Sequence, residues 1–327
     1  MKKLLVLLMV LMMLSGCSNS ADSTPAAIDS EPDISHLTIV TPLGAPVLAF
    51  YDQIENENYS RVAANAIPAL WTGEESPDIL VCDLTSGVQA IRNGADYKIG
   101  AIVTFGNLYI ASTGKDDDGV ISKGDKIVLF GNENAIPSKV WHYLYNDEFD
   151  EELFYENSAS EAAAALASGK NSAGDEVDYV FLAQPAMFAS LNKAKENGME
   201  ADIYLDVQKE YYERSGYEFV QAALFVKNTV TEDEIKIFLL EREIIINAGI
   251  EDPTIISESL GVYKGDEAVT QYGFNPDVMI NVLKMENGLG NNAAGLGFKK
   301  AITIKDEIDA MLQLFNIEKT DETMYNQ

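Results

Sequence analysis

The chain has 327 residues, and its 23 lysines and arginines against 52 aspartates and glutamates give a formal net charge of −29. So acidic a chain repels the phosphate backbone, which argues against nucleic acid as a partner. Two cysteines exclude a disulfide scaffold and a Cys-rich zinc site, and two histidines exclude a His-rich metal cage. Hydrophobic residues make up 47% of the chain, which is a globular composition, and the length predicts two domains.

The N-terminus has the pattern of a secretion signal. Lys2 and Lys3 precede an unbroken apolar run over residues 4–14, which is too short to span the roughly 30 Å hydrocarbon core of a bilayer. The sequence LSGC at residues 14–17 resembles the bacterial lipobox, in which the cysteine is lipidated on sulfur and becomes the new N-terminus. This resemblance implies a signal peptide over residues 1–16 and a membrane anchor of diacylglycerol and an N-acyl chain on Cys17. The alternative is an ordinary signal peptide with a chance cysteine.

A polar segment follows the apolar run. Residues 17–35 are rich in serine, aspartate, alanine and proline and poor in large apolar residues, so we interpret them as a lipid-anchored flexible tether. With Cys17 used by the anchor, Cys82 is the remaining cysteine. Its position at the end of an apolar run indicates a small buried hydrophobic residue.

Strands and helices alternate along the rest of the chain. Short apolar, β-branched runs predict strands at residues 37–41, 78–82, 97–104, 108–112, 126–130, 152–156, 179–182 and 219–226. Helical patterns predict helices at residues 46–54, 66–71, 88–93, 138–145, 158–168, 185–191, 232–248, 252–260, 276–286 and 305–315. We expect Ser138 to cap its helix, Ser158 and Glu161 to form a capping box, and the glycine-rich residues 288–297 to be a flexible loop.

The order of these elements predicts two α/β lobes. Strand, turn, helix and strand at this spacing indicate mainly parallel sheets. The alternation restarts after the charged turn at residues 115–119, which suggests a second unit. The prediction is therefore a first lobe over residues 36–112 and 216–327, a second lobe over residues 113–215, and hinges near residues 111–113 and 211–219.

Seven segments resemble, in their order, the extracytoplasmic solute-binding proteins of ABC importers, and within them the branch for nitrate, sulfonate and thiamine-precursor uptake. They are LTIVTPLG at 37–44, PDILV at 77–81 with DL at 83–84, GADYK at 94–98, NLYI at 107–110, GDKIVL at 124–129, DYVFLAQP at 178–185 and AALFVK at 222–227. The resemblance implies an α/β chain with the two-lobe periplasmic-binding-protein-like II fold: mainly parallel sheets flanked by helices, with a hinge between the lobes. That family usually has a Glu-Pro pair where this chain has Gln184 and Pro185.

Ligands in such folds lie at the carboxyl ends of strands, where helix N-termini offer free N–H groups. The candidate ligand-binding residues are therefore Pro42, Leu43, Gly44, Ala45, Thr85, Ser86, Asn107, Tyr109, Gly131, Asn132, Asn134 and Gln184. Each has a purely structural alternative. The glycines are also turn residues, the hydroxyl and amide side chains also cap helices, and the tyrosine also packs in cores.

The charged residues in these loops, and their absence, limit the chemical classes of ligand that the site suits. The loops lack both arginine and lysine, and Arg214 is the arginine placed best to reach the cleft. A nitrate or sulfonate site commonly uses arginine forks, although helix N-termini can also serve an anion. Aromatic residues that suit a flat heterocycle or a cation lie in or near the loops: Tyr51, Trp71, Phe105, Tyr109 and Trp141. The pattern favours a small neutral or cationic nutrient, such as a heteroaromatic compound, although core packing is the commoner fate of such rings.

The resemblance implies that the protein captures a small solute between its lobes and delivers it to the membrane permease of an ABC importer with its ATPase. We expect a lipid-anchored monomer on the extracytoplasmic face of a bacterial cell membrane. The chain has no Gly-x-Ser-x-Gly elbow, phosphate-binding loop, His-Glu-x-x-His or Cys-x-x-Cys, so it is not expected to be an enzyme or to hold a cofactor or metal. The alternatives are a lipoprotein that senses a ligand for a membrane receptor and a two-lobe enzyme that acts on a small metabolite.

Overall fold

The computed structural model describes residues 32–73, 75–115, 120–145 and 153–326. The predicted signal peptide, Cys17 and the predicted tether up to residue 31 lie outside these residues. The end of that tether contacts the folded body, since Ile34 packs against a buried apolar cluster and Nδ2 of Asn58 donates a hydrogen bond to O of Ser35. Within the described ranges, no helix has the length and apolar character that a membrane crossing needs.

The strands form two sheets. In chain order they are β1 Ile39–Pro42, β2 Tyr59–Val62, β3 Ile79–Asp83, β4 Tyr97–Thr104, β5 Leu108–Ser112, β6 Ile127–Phe130, β7 Leu153–Glu156, β8 Tyr179–Ala183, β9 Asp202–Asp206, β10 Ala222–Lys227 and β11 Leu296–Lys300. The first sheet has six strands in the order β11-β4-β10-β3-β1-β2, and the second has five in the order β7-β6-β8-β5-β9.

Helices flank both sheets. In chain order the α-helices are α1 Leu84–Arg92, α2 Ile136–Tyr145, α3 Ala159–Ser168, α4 Ala186–Glu196, α5 Val207–Ser215, α6 Glu232–Glu251, α7 Pro253–Leu260, α8 Gly265–Tyr272, α9 Pro276–Leu283 and α10 Lys305–Leu314. Shorter 3-10 helices occupy Ala45–Gln53, Ala64–Leu70, Ala301–Ile304 and Glu322–Met324. Polar side chains open several α-helices by accepting an orphan backbone N–H, as Asp83 does for α1 and Thr231 for α6.

Both sheets are mixed, which corrects the prediction of mainly parallel sheets. Strand β1 runs parallel to β2 and β3, and β6 runs parallel to β7 and β8. Strand β10 pairs antiparallel with both β3 and β4, and β5 pairs antiparallel with both β8 and β9. The reason is topological. The chain leaves the first sheet through β4 and returns through β10, so these strands run in opposite directions.

The first passage between the sheets lies at residues 105–107. Strand β4 ends at Thr104 in the first sheet, and β5 begins at Leu108 in the second. The sequence prediction grouped residues 108–112 with the first lobe, whereas the structure pairs them with β8 and β9. Both apolar runs are buried strands separated by a short turn, so the sequence pattern does not show that they belong to different sheets. The chain returns to the first sheet between α5 and β10.

The core has two apolar clusters, and each takes residues from both sheets. Val81 and Val128 belong to one cluster, and their neighbours Leu80 and Leu129 belong to the other. Successive residues of a strand point to opposite faces, so each cluster covers one face of both sheets. Burial on both faces explains why these strands are continuous apolar runs.

Two local predictions are corrected. Helix α2 begins at Ile136, so Ser138 lies inside the helix, where its Oγ bonds the hydroxyl of Tyr155 at 3.3 Å. The predicted loop at residues 288–297 is a hydrogen-bonded turn, and its last two residues, Leu296 and Gly297, already belong to β11. Its Asn287 Oδ1 accepts hydrogen bonds from N of Leu289 and N of Asn291, both at 3.0 Å.

The capping box at α3 is confirmed in part. The Ser158 side chain accepts from N of Glu161 at 3.2 Å, but the Glu161 carboxylate accepts from N of Asn157 rather than from N of Ser158. The second bond therefore fixes the residue before the cap.

Cys82 is buried in β3, as the sequence predicts. Burial raises the pKa of its thiol well above the usual value, so the reactive thiolate is scarce. We expect a Cys17→Ser variant, in which Cys82 is the remaining thiol, to resist a soluble thiol reagent in buffer and to react fully in denaturant. The absorbance of the released thiolate measures both rates, and rapid reaction of the folded protein would contradict the buried position.

Candidate functional site

The carboxyl ends of the strands of the two sheets adjoin each other. Strands β1, β3 and β4 end on one edge of the first sheet, where β10 begins opposite Asp83. Strands β6, β8 and β9 end on one edge of the second sheet, where β5 begins opposite Ala183. Residues 105–107 join these two edges directly, so the predicted ligand-binding residues lie around this crossing.

A cavity of about 610 Å³ opens at these edges. Its lining combines the start of α1 from the first sheet, the start of α2 from the second sheet and the residues after α10: Asp83, Thr85, Ser86, Gln89, Asn134, Ala135, Ile136, Lys139, Phe315 and Asn316. The structure therefore brings three of the predicted residues together, namely Thr85, Ser86 and Asn134.

Asp83 organises the first-sheet side of the cavity. Its Oδ1 accepts hydrogen bonds from N of Ser86 at 3.0 Å, from Oγ1 of Thr85 at 2.5 Å and from Oγ of Ser86 at 3.2 Å. The helix cap is thus Asp83, and the two hydroxyls support it. The other carboxylate oxygen, Oδ2, is buried and has no hydrogen-bond partner among the described residues.

A tight turn forms the second-sheet side of the cavity. Gly131 has a φ of +87°, and a Cβ there would lie 2.7 Å from Cβ of Ala135, so the turn needs glycine. Oδ1 of Asn132 accepts from N of Asn134 at 2.9 Å. Gly131 and Asn132 therefore shape the turn, and Asn134 is the member of this set that lines the cavity.

Lys139 also lines the cavity, so the site includes a basic residue although the loops predicted to form it contain none. It lies within α2 rather than in the preceding loop, at the helical spacing that places residues 136 and 139 on one face. The same spacing joins Ser86 to Gln89 on α1, so following each helix face from the strand end identifies both Lys139 and Gln89. Phe315 and Asn316 carry no such signal, because they reach the site from the far end of the chain. Asn316 has a left-handed φ of +55°.

Asn107 and Gln184 meet at the crossing. Nδ2 of Asn107 donates to O of Gln184 at 3.1 Å, and N of Gln184 donates to O of Asn107 at 2.8 Å. Oε1 of Gln184 accepts from N of Phe188 at 3.1 Å. Both residues are buried, at 6% and 4% exposure, and they do not belong to the lining of the cavity described above. Oδ1 of Asn107 and Nε2 of Gln184 have no hydrogen-bond partner in the part of the chain that the structure describes.

Tyr109 contacts a loop of the first lobe. Its hydroxyl donates to O of Ala293 at 3.5 Å, and burial raises the pKa of the phenol, which stays uncharged. Its neighbour across the sheet, Asp206, accepts from N of Gly288 through Oδ2 at 2.7 Å. The turn at residues 287–295 is thereby hydrogen bonded to the second sheet. The sequence does not predict either hydrogen bond, since the turn is far along the chain from β5 and β9.

The loop after β1 faces other partners. N of Leu43 donates to O of Val62 at 2.8 Å, and N of Gly44 donates to O of Tyr272 at 2.7 Å. These bonds join the loop to first-lobe segments, and Pro42, Leu43, Gly44 and Ala45 do not contribute to the lining of the cavity.

The predicted aromatic residues mostly serve the core. Trp71 packs edge-on against Tyr97 and Phe225, and Trp141 is fully buried against Tyr145. Burial of Tyr51 raises the pKa of its phenol to about 12, and its hydroxyl donates to a backbone carbonyl. The ring of Phe105 packs beside Nζ of Lys299.

Arg214, the arginine expected to reach the cleft, is engaged elsewhere. Its Nε donates to Oε1 of Glu210 at 2.6 Å within α5, and its Nη1 donates to O of Leu144 at the end of α2. Within the residues described, no group of three or more histidine, cysteine, aspartate and glutamate side chains could hold a metal ion.

Solved structures resemble this one over most of its length. An ABC transporter from Parabacteroides distasonis has a TM-score of 0.69 at 19% identity, over 89% of this chain and 98% of that one. The periplasmic aliphatic sulphonate binding protein of Escherichia coli has a TM-score of 0.57 at 13% identity, over 89% and 91%. The ligand binding component of an ABC-type import system from Staphylococcus aureus, with zinc bound, has a TM-score of 0.55 at 13% identity, over 89% and 96%.

No family model and no curated protein matches the sequence. The identities to the solved structures are low, so the likeness concerns the architecture, which extends over both sheets and their helices. The chain has the two-lobe α/β fold of the periplasmic binding proteins, as the sequence resemblance implies.

Proposed function

We propose that the protein is an extracytoplasmic solute-binding protein that captures a small polar solute between its lobes and delivers it to the membrane permease of an ABC importer. The observation that carries this proposal is the cavity of about 610 Å³ between the start of α1 and the start of α2. Pockets for small molecules have volumes of about 300–1,000 Å³. The likeness to binding components of ABC transport systems supports the same role.

The site is divided between the two lobes, which suits capture by closure. Asp83, Thr85 and Ser86 lie at the end of β3 and the start of α1 beside the first sheet, and Asn134 and Lys139 lie just before and within α2 beside the second. A solute that contacts both halves stabilises the closed arrangement over the open one. The permease can then distinguish the solute-bound protein from the free protein by its closed shape.

The lining favours a solute with hydrogen-bond donors. The unpartnered Oδ2 of Asp83 can accept from a neutral or cationic donor, and an aromatic residue in the lining, Phe315, suits a flat molecule. Lys139 adds one positive charge, which suits a solute with a second, electron-rich end. A neutral or cationic heteroaromatic compound therefore remains the ligand that we propose.

The proposal includes the segments before residue 32. The signal peptide over residues 1–16 directs export, and the lipidated Cys17 with its tether holds the monomer at the extracytoplasmic face of the membrane. We place the passages between the lobes at residues 105–107 and 216–221, in line with the strand pairing.

We expect an Asn134→Trp variant to lose the solute. The indole would fill much of the cavity, so at least about tenfold less solute should remain bound through purification. Mass spectrometry of small molecules released by denaturing the purified protein measures the retained amount and identifies the compound. The matched control is Glu196→Trp, which adds the same ring to an exposed position of α4 and should retain the wild-type amount.

Small-angle scattering of the solute-free protein, with and without the released compound, tests lobe closure. A smaller radius of gyration with the compound supports the proposal. Equal retention by the two tryptophan variants, or a tightly bound compound that leaves the radius unchanged, would contradict it. Conversion of the compound into a product would favour the enzyme instead.

A further inference from the structure

Resting on the proposed function, we infer that the solute extends beyond the cavity lining described above to the crossing, where an uncharged amide couple, Oδ1 of Asn107 and Nε2 of Gln184, recognises it. The solute then carries a complementary uncharged edge with a hydrogen-bond donor beside an acceptor, as in a carboxamide, a lactam or a ureide.

The direction of each amide is fixed by its other hydrogen bond. Oε1 of Gln184 accepts from N of Phe188 in the first turn of α4, so Nε2 is the end that remains. Nδ2 of Asn107 donates to O of Gln184, so Oδ1 is the end that remains. Reversing either amide would place two donors or two acceptors together. The couple therefore leaves one acceptor, Oδ1 of Asn107, and one donor, Nε2 of Gln184.

Because these two atoms are buried, leaving them without a hydrogen bond costs free energy, and a ligand that pairs with them removes that cost. The side chains belong to residues that are 6% and 4% exposed, and neither atom has a protein partner in the described ranges. Proteins leave few buried polar atoms unpaired, and each such atom calls for an explanation. Here the explanation is their position, since β8 ends beside Gln184 and the chain passes between sheets at Asn107, on the edges where solutes bind in this kind of sheet.

The neighbouring polar groups are already paired within the protein. N of Leu108 donates to Oε1 of Gln208 at 2.6 Å, and Nε2 of Gln208 donates to Oδ1 of Asp206 at 3.1 Å. Oδ2 of Asp206 accepts from N of Gly288, and the hydroxyl of Tyr109 donates to O of Ala293. These bonds leave the Asn107–Gln184 couple for the solute, and none of these partners is a lysine or arginine side chain.

The couple discriminates by charge type. A carboxylate offers only acceptors, so one of its oxygens would face the oxygen of Asn107. An amidinium offers only donors, so one of its N–H groups would face the NH₂ of Gln184. A neutral amide pairs with both, and sites with buried polar groups reject analogues that leave one of them unpaired.

Titration calorimetry of the full chain with matched probes tests the inference. The neutral probes are nicotinamide, uracil and 2-imidazolidinone, and the charged probes are nicotinate and pyridine-3-carboxamidine. We expect at least one neutral probe to bind, and to bind at least about tenfold more tightly than either charged probe. The Gln184→Glu variant replaces the donor by an acceptor of the same shape. It should lose that preference and bind the carboxamidine at least about tenfold more tightly than the wild type does. Asn192→Asp, which adds a negative charge to the exposed surface of α4, should keep the wild-type order.

Different results would contradict the amide couple and the proposed solute-binding function. Failure of every neutral probe to bind at millimolar concentration, or a released solute without an uncharged donor–acceptor edge, overturns the amide couple. If a released solute still compacts the protein, the solute-binding function stands. If no released solute and no probe binds, the proposed function fails as well. A Gln184→Glu variant that does not fold leaves the probe order of the wild type as the deciding result.

Discussion

Replacing Asp52 by asparagine is expected to lower the free energy of unfolding by about 3 kcal/mol, the cost of stranding a buried charge. The Asp52 carboxylate meets the guanidinium of Arg242, which is 2% exposed, through two hydrogen bonds of 2.6 Å. Nη1 of Arg242 also donates to O of Ala49 at 3.2 Å, and the rings of Phe50 and Phe238 flank the guanidinium. Asparagine has one acceptor oxygen, so the variant leaves a buried cation half paired.

The pair joins two elements that the sequence keeps far apart. Asp52 lies in the 3-10 helix Ala45–Gln53, which directly follows the loop after β1, and Arg242 lies in the middle of α6. Urea unfolding followed by circular dichroism measures the loss. We expect only a slightly smaller fall in midpoint at high salt, because the guanidinium is buried while the Asp52 side chain is 23% exposed.

Two controls test whether the loss of stability comes from leaving the buried Arg242 unpaired rather than from losing an ion pair as such. Glu196→Gln breaks an exposed pair with Lys193 and should cost less than about 1 kcal/mol. The double variant Asp52→Asn with Arg242→Met removes both polar partners and should be less destabilised than the sum of the two single variants. A loss below about 1 kcal/mol for Asp52→Asn would show that the pair contributes little to the folded state.

The strands that the sequence predicts best are those buried on both faces. The bounds of β4 and β5 are as predicted, because a mainly apolar run indicates burial directly. Two of the edge strands give no such pattern. Strand β9 has the sequence DIYLD and lies at the edge of the second sheet, and β11 has the sequence LGFKK and lies at the edge of the first. Their place depends on hydrogen bonds to β5 and β4, which no local pattern encodes.

The sequence alone also does not predict the direction of each strand or the sheet to which it belongs. Residues 97–104 and 108–112 have the same character, yet residues 105–107 pass from one sheet to the other. What fixes the passage is the pairing of β5 with β8 and β9, far along the chain. Local propensity gives the existence of a strand, and tertiary contacts decide its partner.

In the candidate site too, some residues follow from the local sequence and others only from tertiary contacts. Thr85, Ser86 and Asn134 could be predicted because the carboxyl-end rule needs only the position of each strand. Lys139 was missed because it lies a helical turn beyond the loop, and Asn316 because the fold brings it from the other end of the chain. The unpaired ends of Asn107 and Gln184 depend on which hydrogen bonds the backbone has already made. Sequence position therefore predicts the edge, and only the contacts reveal which groups remain for a solute.

Replacing Gly295 by alanine is expected to cost about 3 kcal/mol and to loosen the crossing between the lobes. The residue has a φ of +71°, and a Cβ there would lie 2.1 Å from O of Gly106. The left-handed backbone alone costs an alanine about 1 kcal/mol, and overpacking adds about 1–3 kcal/mol. O of Gly295 accepts from N of Phe105 at 2.7 Å, so the displaced turn also loses its bond to the crossing.

Gly290→Ala is the matched control. Gly290 belongs to the same turn and has a φ of +79°, but a Cβ there would meet no atom within 4 Å among the residues described. This variant should cost about 1 kcal/mol, so the difference between the two variants isolates the close approach of the turn to Gly106. Urea unfolding gives both losses, and scattering with the released solute should show weaker compaction for Gly295→Ala alone. Equal losses in the two variants would mean that the turn can move away from Gly106 at little cost, and the contact would then not hold the lobes together.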